Sequence, residues 1–324
     1  MSAPMRHFDA AATRHALPFD ALIGAIEAMF VAGCEVPPRH VHAIDNQPGG
    51  ELTPGTVLIM PAWQERYMGI KTVNIFPGNA ARGMPALFST YILYDAATGE
   101  PLAQIDGNEI TARRTAAASA LAARYLAPPG AASLLVVGSG RVASLLPYAY
   151  RQVLSLQEVI VWSRNPNSAM KLAAQLCADG FDARASIDLD AAARGADIVA
   201  CATLATEPII RGEWLRPGSH LDLIGSFTPR MREADDACFA GARLFVDTLE
   251  ALQKSGDLLH PIARGVFAPS DIGGTLEALC RGQAKGRRGN ERTVFKSVGT
   301  ALEDLAAAML VLENSGGKKK DTNP

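Results

Sequence analysis

Apolar and polar positions fall into two textures along the chain. From about residue 133 to 247, short apolar runs alternate with amphipathic segments. The runs at 134–137 (LLVV), 158–162 (EVIVW), 181–186, 197–202 (DIVACA), 220–224 (HLDLI) and 243–246 read as strands, apolar enough to be buried on both faces. Residues 167–179 place Met170, Leu172, Ala173 and Leu176 at helical spacing, and 188–194 reads as a short helix. This alternation predicts parallel strands joined by crossover helices, hence an α/β doubly wound sheet. Upstream, 19–30 reads as an amphipathic helix, and 40–44, 56–60, 67–76 and 86–94 read as strands. A turn at 95–99 (DAATG) joins the last of these to the apolar run at 102–105. The pattern predicts an α+β domain with a meandering sheet. The alanine-rich stretch 108–126 predicts a helix bridging the two domains. Residues 293–312 predict one long helix, and the polar, basic tail 314–324 reads as disordered.

One segment brings chemistry into the picture. Residues 133–143, SLLVVGSGRVA, run from the first strand of the alternating region into G-x-G-x-x-A. Gly138 suits the tight turn and Gly140 a close approach of backbone to a pyrophosphate. Ala143 suits close helix–strand packing, and the N–H groups of the loop Ser139, Arg141 and Val142 complete a phosphate cradle. At the head of a strand–helix unit, the pattern predicts a Rossmann dinucleotide-binding domain over 116–297. The second strand ends EVIVW-SRN, with no acid to bind a ribose hydroxyl. Ser163, Arg164 and Asn165 instead offer donors to a 2′-phosphate, which favours NADPH and leaves NADH as the weaker cofactor. Thr203, just past the 197–202 strand, falls at the carboxyl edge of the sheet, where a nicotinamide usually rests. Pro147 should kink the first helix of this domain.

Composition narrows the partners. The 324 residues are 48% hydrophobic and 20% charged, with a formal net charge of −2. These values suit a globular protein of one large or two medium domains and give no electrostatic footprint for nucleic acid. No apolar run is long enough to span a bilayer, and the opening MSAPMRHFDA lacks the apolar core of a signal peptide. Cys34, Cys177, Cys201, Cys238 and Cys280 form no C-x-x-C and read as reduced thiols of a cytoplasmic protein. His40 and His42 share a strand face but lack further ligands nearby, so no metal site is expected.

The stretch 69–126 carries a string of ordered motifs. They comprise K-x-V-x-x-F-P from Lys71, T-G-x-P-L-A from Thr98 and R-T-A-A from Arg114, with M-P-A from Met60 before them and F-K-S-V-G from Phe295 after. In these the chain resembles the ornithine cyclodeaminase/mu-crystallin family over nearly its whole length. The resemblance implies a Rossmann domain paired with a substrate-binding and dimerisation domain, here 1–115 with 298–324, and a homodimer. It implies a small imino-acid substrate whose Cα exchanges hydride with a nicotinamide. By motif, the carboxylate cradle maps onto Arg39, Lys71 and Arg114, with Lys71 the catalytic candidate; guanidinium suits a two-point grip and ammonium a movable point charge. Arg113 and Arg114 leave a helix about 100° apart, and R-T-A-A selects Arg114. Thr115 and Ser297 are implied near the cofactor. Val142 departs from the family's glutamine in the glycine loop.

Cyclodeaminases of this family carry a glutamate two residues before the Met of M-P, and an aspartate two residues before the proline after a late Rossmann strand. Those positions are Leu58 and Phe227 here. Neither can partner a δ-ammonium, whose burial alone would cost several kcal/mol; Phe227 suits packing against ring CH₂ groups. Glu51 is the alternative carboxylate. The expectation is therefore NADPH-dependent reduction of a cyclic ketimine, pyrroline-2-carboxylate or piperideine-2-carboxylate, to L-proline or L-pipecolate. Ornithine cyclodeaminase and alanine dehydrogenase activities are alternatives, and a non-catalytic NADPH-binding protein is the alternative of another class.

Overall fold

The computed structural model describes residues 4–44 and 55–315. Glu51 and most of the polar tail lie outside the described residues. The chain divides into two compact units, Met1–Arg114 with Ala301–Pro324, and Thr115–Thr300.

In the first unit the elements run β1 (Arg6–Phe8), α1 (Ala10–Ala16), α2 (Phe19–Ala32), β2 (His40–Ile44), β3 (Gly55–Trp63), β4 (Tyr67–Ile75), β5 (Leu87–Asp95), β6 (Pro101–Asp106) and the start of α3 (Gly107–Leu126), which passes into the second unit after Arg114. The six-stranded sheet has the order β1-β6-β5-β4-β3-β2. It is an antiparallel meander apart from the parallel β1–β6 pair. On β4, buried Tyr67, Gly69, Lys71 and Val73 alternate with half-buried neighbours, the two-residue period that turns alternate side chains to one face. Asp106 starts α3 by accepting from the Glu109 N–H at 2.8 Å.

The second unit continues with β7 (Ser133–Val137), α4 (Leu146–Tyr150), β8 (Glu158–Trp162), α5 (Pro166–Ala178), β9 (Ala183–Ala185), α6 (Leu189–Gly195), β10 (Ile198–Cys201), β11 (His220–Leu223), β12 (Arg243–Val246), α7 (Ala251–Lys254), α8 (Gly256–Ala263), β13 (Ile272–Thr275), α9 (Leu276–Cys280) and β14 (Thr293–Lys296). Its eight strands are all parallel, in the order β13-β12-β14-β11-β10-β7-β8-β9. Chain order reverses on either side of β7, which makes the β7–β10 crevice the switch point where α/β sheets take ligands. The last helix, α10 (Ala301–Ser315), belongs to the first unit and packs on α2 and on β3, β4 and β5.

Three expectations need correction. Residues 293–312 are not one helix. Thr293–Lys296 is β14, inserted between β11 and β12, and Gly299 at φ +78° separates it from α10. The strand expected at 181–186 shortens to Ala183–Ala185. Pro147 kinks nothing: a 3₁₀ turn over Ala143–Leu145 precedes a five-residue α4, and Pro147 sits in its first turn. A missing N–H costs little there. No single helix among the described residues is long and apolar enough to cross a membrane.

Candidate active site

In the first unit, strand register sets Lys71 opposite Met60 on β3 and Tyr91 on β5. The Lys71 side chain is 2% exposed, yet it is charged and partnered. Its Nζ lies 2.6 Å from Asp304 Oδ2 and donates to Thr111 Oγ1 at 3.3 Å. The other Asp304 oxygen, Oδ1, accepts from Arg114 Nε at 3.0 Å, and Glu303 Oε2 accepts from Arg114 NH1 at 2.6 Å. Two buried cations are thus held on two buried carboxylates, the condition under which charge survives away from water. Both acids fall in the first turn of α10, where the helix dipole favours negative charge.

Burial pulls the Lys71 pKa down to about 8; Asp304 opposes the shift, while Arg114 and Arg39 add to it. Burial pushes Asp304 up, but Lys71 and Arg114 outweigh it and hold the carboxyl below its ordinary range. The carboxylate gains from two cations; the ammonium gains from one carboxylate against two guanidiniums. For Lys71 burial outweighs its single carboxylate, whereas for Asp304 two cations outweigh burial, so both values fall. Arg39, half-buried just before β2, completes the positive neighbourhood. Arg113 turns elsewhere, donating to Leu17 O at 2.8 Å with its guanidinium 4.2 Å from the centre of the Phe19 ring. The Tyr91 hydroxyl is fully buried and unpartnered among the described residues. Gly69 makes its room, since a Cβ there would stand 1.8 Å from the hydroxyl oxygen. Leu58, two residues before Met60, is half-buried on the same strand. Sequence reading missed Glu303 and Asp304. The available signal was two adjacent acids in a helix otherwise apolar for most of its length, ALEDLAAAMLVL.

In the second unit, Gly138 takes φ +123°, and a Cβ there would come within 2.6 Å of Ala202 O. Glycine is therefore required by both conformation and contact. Gly140 differs: an added Cβ would meet no protein atom within 4 Å. The loop leaves open space where a pyrophosphate would lie, and in that respect the residues fit a dinucleotide. Ala143 is fully buried, Val142 half-buried and Arg141 exposed. Ser139 Oγ and Ser163 Oγ pair at 3.0 Å, tying the glycine loop to the end of β8. Arg164 and Asn165 are exposed. Asn165 is committed in part, because its Oδ1 accepts from Asn167 N at 3.0 Å as the cap of α5, which leaves its amide N–H groups as the donors. Thr115 is half-buried on α3. Ser297 is buried, its N–H donating to Leu223 O at 3.1 Å. Phe227, 45% exposed, follows β11.

Thr203 is held by a carboxylate that sequence reading also missed. Glu233 Oε1 accepts from Thr203 N at 2.7 Å and from Thr203 Oγ1 at 2.8 Å, and Oε2 accepts from Gly225 N at 2.6 Å. Asp257 Oδ1 accepts from the Glu233 and Ala234 N–H groups. Lys296 is fully buried beside them, donating to Leu223 O at 2.9 Å with Asp257 Oδ2 at 3.8 Å. Burial pushes the Glu233 pKa up, against the pull of Lys296. This network fixes the backbone just beyond the carboxyl ends of β10 and β11. Among the described residues no cluster of three or more His, Cys, Asp or Glu could hold a metal ion; the His40 and His42 rings stack 6.4 Å apart.

A parallel sheet with this switch point and glycine loop, joined to a unit carrying buried cations, defines a Rossmann-type oxidoreductase architecture. The family model for the ornithine cyclodeaminase/mu-crystallin family matches residues 10–319, and the chain belongs to that family. It is 43% identical over 267 residues to the delta(1)-pyrroline-2-carboxylate reductase of Paracoccus denitrificans, covering 81% of this chain and 84% of that one. The structure of the Thermococcus litoralis delta(1)-pyrroline-2-carboxylate reductase, in complex with NADH and L-proline, matches with a TM-score of 0.89 at 30% identity, over 96% of this chain and 97% of that one. An archaeal alanine dehydrogenase dimer with bound NAD matches with a TM-score of 0.88 at 28% identity, over 96% and 95%.

Proposed function

We propose that the protein is an NAD(P)H-dependent reductase of carbon–nitrogen double bonds, acting on a cyclic ketimine such as pyrroline-2-carboxylate or piperideine-2-carboxylate. The observation that carries this reading is the buried Lys71–Arg114 pair, one cation from β4 and one from α3, both held on Asp304. Arg114 and Arg39 suit the substrate carboxylate, and the Lys71 ammonium suits the imine nitrogen, which must be protonated or hydrogen-bonded for its carbon to accept hydride. The reduced nicotinamide, when bound, supplies that hydride. The C=N bond gains one hydride at carbon and one proton at nitrogen, giving L-proline or L-pipecolate. Leu58 and Phe227, at the positions where cyclodeaminases carry acids, argue against ornithine cyclisation.

We assign NADPH as the preferred cofactor from Ser163, Arg164 and Asn165 after β8, with NADH weaker. The domain that binds it is 116–297; 1–115 with 298–324 is assigned to substrate and to a second copy of the chain. Trp63, Leu87 and Phe88 are large apolar side chains exposed on that sheet, which suits such an interface. Sizing should give about twice 34.2 kDa; a monomer refutes the dimer.

The test of function is NADPH consumption with both cyclic imines and with pyruvate plus ammonia or methylamine. The cyclic imines should be the best substrates. Ammonia release from L-ornithine at a comparable rate, faster turnover of pyruvate with ammonia, or NADPH binding without any turnover would each overturn the assignment. Arg164→Ala should lower kcat/KM for NADPH about ten- to hundredfold while sparing NADH. Equal use of the two cofactors by the unaltered protein would refute the preference.

A further inference from the structure

We propose that Asp304 is the positioning residue of the Lys71 site: a single buried carboxylate that clamps Lys71 to Arg114 and keeps the lysine charged and aimed. The inference rests on the reading that Lys71 meets the substrate. Each Asp304 oxygen serves one cation, Oδ2 the Lys71 Nζ at 2.6 Å and Oδ1 the Arg114 Nε at 3.0 Å. The groups facing Lys71 are Asp304 from α10, Arg114 and Thr111 from α3, Tyr91 from β5 and Arg39 from the segment before β2. Of these, Asp304 alone is an anion. Its side chain is fully buried, so water cannot substitute for it. Without it, Lys71 would stand between two guanidiniums with only a threonine hydroxyl at 3.3 Å, and it would shed its proton. The neighbouring acid has a different task. Glu303 bonds Arg114 at 2.6 Å and orients that residue alone. The two consecutive acids thus divide the work: one sets a guanidinium, the other couples guanidinium to ammonium.

The test uses Asp304→Asn, Asp304→Glu and Glu303→Gln in the full-length chain, with two readouts. The first is the titration of the Lys71 side chain by NMR of ¹³Cε-labelled lysine, its signal assigned by loss in Lys71→Met. The second is the pH profile of kcat/KM for reduction of the cyclic imines. Asp304→Asn should lower the Lys71 midpoint by about one to three pH units, and the basic limb of the profile should move by the same amount. Glu303→Gln should leave the midpoint near the native value of about 8 while raising KM. Asp304→Glu should keep the midpoint and lose kcat, since the longer side chain retains charge but displaces the bridge. A folded Asp304→Asn with an unmoved midpoint overturns the proposal. If that variant does not fold, wild-type kcat in Asp304→Glu overturns it instead. A shifted midpoint in a protein that reduces no imine upholds the clamp and removes the functional reading.

Discussion

Replacing Glu233 by glutamine changes one oxygen of a fully buried carboxylate to an amide nitrogen, and so asks whether that group is ionised in the native protein. Three donors converge on it, at 2.7 and 2.8 Å from Thr203 and 2.6 Å from Gly225. Two of them are backbone N–H groups, which cannot reverse their polarity. A protonated acid could donate only to the Thr203 hydroxyl, which would have to reverse; the two backbone N–H donors and the Lys296 charge favour the carboxylate, while burial pushes the pKa up to about 8. In Glu233→Gln, the amide oxygen can stay with Thr203 while the NH₂ faces the Gly225 N–H. One buried backbone donor is then unsatisfied, at about 1–3 kcal/mol. Lys296 also loses part of its compensation, which brings the expected loss to about 2–4 kcal/mol. At roughly 2–4 °C per kcal/mol for a unit of this size, the melting temperature should fall by about 5–15 °C. Thermal and urea denaturation at neutral pH measure it. Dinucleotide affinity should fall as well, because the Thr203 and Gly225 backbone borders the switch point. Stability within about 0.5 kcal/mol of the native protein would mean that Glu233 is neutral and the ionised network is wrong.

Gly69→Ala should destabilise the first unit by about 1–3 kcal/mol or more through overpacking, because its Cβ would lie 1.8 Å from the Tyr91 hydroxyl and 2.4 Å from Cζ. Tyr91→Leu should recover part of the loss in the double variant, and additive losses would refute the contact. Gly138→Ala and Gly140→Ala should separate structure from ligand binding. Both should weaken NADPH, measured by fluorescence titration, but only Gly138→Ala should lower the melting temperature, since only its Cβ strikes backbone; equal melting losses would refute the distinction. The lowering of Lys71 to about 8 by burial means that its ammonium is present below that pH and lost above it. Activity should therefore decline as pH rises through about 8, and a profile flat well above that value would remove Lys71 from the reaction.

Strand and helix alternation between β7 and β12 was legible in the sequence because a strand buried on both faces must be an unbroken apolar run, and crossover helices must carry a 3.6-residue stripe. The glycine loop was legible because backbone conformation and close approach leave few other residues for it. Residues 293–296 were not, since four residues, TVFK, fit either period; insertion between β11 and β12 made them a strand. Lys71 stood out as a charge in an apolar strand, but its partners did not. Glu303 and Asp304 occupy a first helical turn, where acids are ordinary, and Glu233 sits in the charged run MREADD, which reads as solvated surface. Glu303 and Asp304 became buried ion-pair partners, and Glu233 a buried hydrogen-bond acceptor, only when packing brought segments distant in sequence together, α10 onto β4 in one unit and the loop after β11 onto the end of β10 in the other. Local sequence records which residues can be charged or turned, whereas the environment that decides what a charge does is made by neighbours that only the tertiary fold supplies.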